Sequence, residues 1–153
     1  MSYLPWIDLL GRTSEDPEVL KLLANEGVAE VPPPDRGSVT IWMNFGACSL
    51  VFTDESQFPD RDDLDDGMSV LTGVSITVRP KGKPDYTGPL PFGIEHNDSP
   101  EDIRRRFGER IEEDDDEEDG GYDQFAVGDL WLSVGYLAGR KHFRGVSVRL
   151  PDE

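Results

Sequence analysis

The side chains able to do chemistry here are few, and their settings argue against most of it. Cys48 is the sole cysteine, and His96 and His142 are the two histidines. A thiolate–imidazole pair would suit nucleophilic catalysis, with any of many carboxylates to orient the ring. Cys48, however, falls at the turn of "FGACS" between apolar runs, the setting of an ordinary small buried thiol. His96 sits in the polar loop "EHNDS", and His142 opens the last apolar run. Ser133 in "LWLSVG" lacks the Gly-flanked strand-to-helix elbow of a hydrolase nucleophile. The expectation is a protein that is not an enzyme.

Metal and phosphate chemistry fare no better. "DRDDLDDG" superficially resembles a calcium loop, but counted from Asp60 the sixth position is Asp65 and the twelfth is Leu71. An EF-hand needs glycine and a bidentate glutamate there. One cysteine and two histidines cannot build a zinc set without recruiting carboxylates. "GKPDYTG" lacks the glycine–lysine order of a phosphate loop, and neither helix signal opens on a glycine-rich turn. Arg104, Arg105 and Arg106 could hold an anion, but a helix C-terminus favours cations, and nearby acids would pair with them. No cofactor or metal is expected.

The carboxylates remain. "RIEEDDDEEDGGYDQFAVG" contains eight in succession: Glu112, Glu113, Asp114, Asp115, Asp116, Glu117, Glu118 and Asp119. A second stretch contributes Asp54, Glu55, Asp60, Asp62, Asp63, Asp65 and Asp66, with Arg61 as its one base. The chain has 153 residues and a formal charge of −17, and these two stretches hold 14 of the 17 net charges. The rest is close to balanced. Runs of like charge are commonly solvated loops. They can equally steer a basic partner by long-range attraction. The second reading makes Asp60, Asp62, Asp63, Asp65, Asp66 and Glu112–Asp119 the candidate partner-binding residues. Either way, such a surface repels nucleic acid and anionic lipid, so neither is an expected partner.

At 36% hydrophobic and 31% charged residues, with three tryptophans and seven phenylalanines, the chain has material for one real core. A lone cysteine forbids an intrachain disulfide. The start "MSYLPWIDLLGR" is not a secretion signal, and no apolar run nears the ~20 residues that cross a bilayer. A cytoplasmic protein is expected.

Two helices are signalled. In "DPEVLKLLANEG", Asp16 caps, Pro17 takes the first helical position, Val19, Leu22 and Leu23 share a face, and Gly27 stops the helix. In "SPEDIRRRFGERI", Ser99 and Asp102 form a box-like cap, and Ile103, Phe107 and Ile111 form the stripe. Period-two alternation predicts strands at 39–45, in "SLVFT", at 70–78, near 125–127, at 130–138 and at 143–150. The fold class is therefore α+β: an antiparallel sheet with two helices on one face, in a single domain. "LPW" at Leu4 and "LPF" at Leu90 each precede a capped helix and a Gly-turned hairpin. This suggests two helix-plus-meander pseudo-repeats, about 1–80 and 86–150, with acidic loops at 54–66 and 112–119. Chance is the competing account.

"YTGPLPFGIEHNDSPEDIRRRFG" and "LWLSVGYLAGRKHFRGVSVRL", roughly residues 86–150, resemble bacterial polymorphic-toxin immunity proteins. The doubled layout also resembles that of beta-lactamase-inhibitor-like proteins. The first resemblance implies a small acidic cytoplasmic protein that neutralises a cognate toxin, here by plugging a basic active site. Two alternatives stand beside it: an adaptor or chaperone shielding a basic protein, and a small-molecule-binding or hydrolytic domain.

Overall fold

The computed structural model describes residues 3–115, 118 and 120–151. Asp116, Glu117 and Asp119 of the acidic run lie outside the described residues. The fold is α+β: the described residues form three short α-helices and a seven-stranded antiparallel sheet of order β1-β2-β3-β7-β6-β5-β4. The chain divides into two compact units, Tyr3–Val74 and Ser75 onward, and the boundary falls inside β3. No described helix is long and apolar enough to cross a membrane.

In the first unit, α1 (Leu4–Ile7) is a single turn that buries Trp6. Helix α2 (Pro17–Asn25) starts as its sequence predicts. Asp16 accepts from the Glu18 N–H at 2.9 Å, and Val19 and Leu23 are fully buried. Gly27 ends it in the left-handed region. Strands β1 (Thr40–Phe45) and β2 (Cys48–Asp54) form a hairpin that pairs Ile41 with Phe52 and Met43 with Leu50. Those positions face the interior, while Trp42 stands 63% exposed opposite Val51.

Strand β3 (Ser69–Thr77) departs from the expected alternation. Val70, Val74 and Ile76 are buried as predicted, but so are Ser69, Leu71 and Gly73. A central strand meets cover on both sides, so burial stops alternating. Within the first unit, residues 12–14 pair along its edge: Thr13 bridges Val70, and the Ser14 hydroxyl accepts from the Ser69 N–H at 3.0 Å.

In the second unit, α3 (Pro100–Phe107) carries the full capping box. Ser99 Oγ accepts from the Asp102 N–H at 3.1 Å, and the Asp102 carboxylate accepts from the Ser99 N–H at 3.0 Å. Phe107 packs against Phe125, with ring centroids 5.5 Å apart. Gly108, at φ +81°, then turns the chain. The segment beyond it differs from expectation: β4 (Arg110–Asp114) is a strand, antiparallel to β5 (Tyr122–Val127). Ile111 thus belongs to no helical stripe and is 46% exposed. The acidic run, expected as a loop from 112, begins inside a strand. A terminal strand tolerates this because its side chains reach water.

Strands β6 (Leu130–Tyr136) and β7 (Phe143–Arg149) complete the second unit. Leu132 pairs with Val148 and Val134 with Val146, all buried. Gly120 brings the chain back after the acidic run, at φ +97°. A Cβ there would collide with the Tyr136 carbonyl oxygen, so glycine is required twice over.

Candidate functional site

Asp123 lies on the inward side of β5, in register with Val134 of β6, and is fully buried. A carboxylate there needs partners. Four side chains supply them. Arg104 from α3 donates Nε–H to Oδ2 at 2.9 Å, and Arg110 from β4 donates to Oδ1 at 3.0 Å. The Tyr136 hydroxyl donates to Oδ2 at 2.7 Å, and Arg140 places Nη2 4.0 Å from Oδ1. Burial alone would push the Asp123 carboxyl up. The hydrogen bonds from Arg104, Tyr136 and Arg110 outweigh it and hold the group below the ordinary carboxylate value. Burial and the bond to Asp123 raise the Tyr136 phenol in turn.

The same arginines gather the start of the acidic run. Asp115 Oδ1 lies 3.4 Å from Arg104, 3.5 Å from Arg110 and 3.3 Å from Arg140. Glu113 forms an ion pair with Arg110, and the Asp114 carbonyl accepts from Arg140 at 3.3 Å. Glu112 accepts from the Tyr122 hydroxyl at 2.6 Å, which raises the Tyr122 phenol. Gln124, with its amide oriented to satisfy both neighbours, donates to Glu112 and accepts from Arg149, each at 3.2 Å. Glu118 is exposed. Thus Glu112 and Glu113 are each tied to one neighbour and Asp115 makes only long contacts, and all three remain exposed. An open groove of about 510 Å³ runs beside them, lined by Gly108, Glu109, Arg110, Ile111, Glu112 and Glu113.

In the first unit, the stretch 54–66 is ordered differently. Asp54 caps a 3-10 turn at Glu55–Gln57 by accepting from the Ser56 N–H. Arg61 grips Asp63 with two bonds, at 3.0 and 2.6 Å, and reaches the Gly11 carbonyl at 2.7 Å. The bonds from Arg61 lower the Asp63 carboxyl. Asp60, Asp62, Asp65 and Asp66 are exposed, and no cation among the described residues pairs with them.

The arginine cluster of α3 pairs with acids as its sequence suggested. Arg104 takes Asp123, Arg105 takes Asp102 at 3.5 Å, and Arg106 takes the buried Asp98 at 3.2 Å. Sequence reasoning missed Asp123, Tyr136, Arg110 and Arg140. The available signal was Asp123 itself: an acid two residues before Phe125, on the inward side of a period-two strand.

Burial pushes the Cys48 thiol up to about 11, far from a nucleophile's range. His96 is committed to the Gly88 carbonyl at 2.7 Å, and His142 is exposed. Carboxylate oxygens of Glu113, Asp115 and Asp123 come within 4.8 Å of one another, near enough to hold a metal. Three guanidiniums already occupy that space, and a cation would have to displace them. Comparisons with protein-family models, with curated proteins and with solved structures find no match to this chain.

Proposed function

We propose that this chain is a non-enzymatic, cytoplasmic binding protein that neutralises a basic cognate toxin by covering its active site. The observation that carries the reading is the form of the negative charge. The chain's excess sits in two stretches; among the described residues, Glu112, Glu113 and Asp114 of one stand exposed on a terminal strand, and Glu113 and Asp115 are held by ion pairs. Fixed carboxylates lose less side-chain entropy on docking than free ones, which favours a tight complex. Long-range attraction would raise the association rate, and contacts around the acids would set the dissociation rate. The inertness of Cys48 and the engagement of His96 support the non-catalytic part.

The test is capture of the partner from the native host, followed by co-expression of the two. A basic protein that is toxic alone and harmless beside this chain supports the proposal. A partner that binds yet keeps its full activity overturns it in favour of an adaptor.

A further inference from the structure

We propose that Arg104, Arg110 and Arg140 form a binding site for a small tetrahedral oxyanion such as phosphate, with Asp115 as an internal plug. The geometry of the plug is the first observation. One oxygen, Asp115 Oδ1, is shared among three guanidiniums at 3.3, 3.4 and 3.5 Å. Charge-assisted N–H···O bonds settle at about 2.7–2.9 Å. The cradle is therefore wide for a single carboxylate oxygen. A tetrahedral ion would offer a separate oxygen to each arginine.

The second observation is Arg140. Its side chain is 10% exposed, and its buried Nη2 makes no hydrogen bond among the described residues, since the Asp123 oxygen it faces lies 4.0 Å away. A guanidinium has five donors, and leaving one buried and unmet is costly. The residue is held in place all the same. Its backbone adopts φ +55°, which few non-glycine residues do, and its guanidinium lies 4.8 Å from the centre of the Tyr136 ring. Tyr136 in turn bonds Asp123, so the cradle is braced from below.

Charge gives the third argument. Three guanidiniums face Asp123, Glu113 and Asp115. Asp123 is sealed in, whereas the Asp115 side chain is 60% exposed and can swing out. Its departure leaves one positive charge in excess, at a site open to solvent through the space it vacates. An oxyanion entering that space balances the charge and offers several acceptor oxygens where Asp115 offered one. The same three arginines exclude a divalent cation from the carboxylates they touch. The inference does not depend on what the protein partner is.

The experiment is titration of the full chain with inorganic phosphate, followed by calorimetry and by amide shifts of residues 104–140. Acetate at equal ionic strength is the control. Asp115→Asn should bind phosphate about tenfold more tightly than wild type, because the competing charge is gone. Arg140→Gln should lose the binding. If that variant does not fold, Arg140→Lys serves instead: it keeps the charge but not the fork, and should bind at least fivefold more weakly than wild type. Equal phosphate affinity in wild type and Asp115→Asn overturns the proposal. So does a phosphate response that acetate reproduces, which would mean an adventitious ion only.

Discussion

Asp123 concentrates the energetics of the second unit in one side chain. Removing its charge leaves guanidiniums from α3, β4 and the turn after β6 facing one another in a poorly hydrated space. Breaking a buried ion pair from one side costs roughly 3–5 kcal/mol, so Asp123→Asn should lower the urea midpoint by a matching amount. The same residue sets an acid limit. Its folded-state pKa is depressed, so its contribution is fully present above the unfolded value of about 3.9. It is lost as pH falls through the lower folded value. Melting curves between pH 7 and pH 2 should show wild type losing stability below about pH 4, with a shallower slope in Asp123→Asn. At this scale the sequence was half legible. An acid at an inward strand position announces a buried charge, but its partners lie more than ten residues away on either side, beyond the reach of local pattern.

The elements divide by how local their causes are. Helices α2 and α3 were readable because their starts are written within four residues. Asp16 and Ser99 each cap the turn beside them, and proline follows each. Ser99→Ala removes one half of the reciprocal box and should cost about 1 kcal/mol, measured by urea unfolding. Strand β4 was not readable for the opposite reason. In "RIEED" nothing alternates and only Ile111 favours a strand; the segment is extended because β5 offers a hydrogen-bonding edge and Asp123 holds Arg110. The continuous burial of β3 was hidden likewise. Alternation in sequence reports one covered face and carries no sign that the other is covered too.

For the whole molecule, the amount of charge was legible from composition and its tethering was not. Among the described residues, Asp63, Glu113, Asp115 and Asp123 are held by arginine while Asp60, Asp62, Asp65 and Asp66 pair with no cation, and the two kinds should behave differently. Changing Asp60, Asp62, Asp65 and Asp66 to Asn leaves the ion pairs of the fold untouched. Against the captured partner, this variant should associate several-fold more slowly at low salt with little change in dissociation. The gap should close as salt shortens the screening length below about 8 Å. Its thermal stability should hold or rise, since like charges are removed and no bond is lost. Identical association rates at low salt would leave that stretch as a solvated loop.

The lone thiol of Cys48 turns the β1–β2 hairpin into a clock. The side chain is 4% exposed at the first position of β2, opposite Phe45, and its proton is held too tightly for reaction in place. A disulfide reagent at pH 8 should therefore label it only during moments when the hairpin parts. With reagent in excess, the labelling rate becomes the rate of parting itself; with reagent scarce, it reports the fraction of time spent open. No second cysteine blurs the signal. A labelling rate equal to that of the unfolded chain would show that the hairpin offers no protection at all.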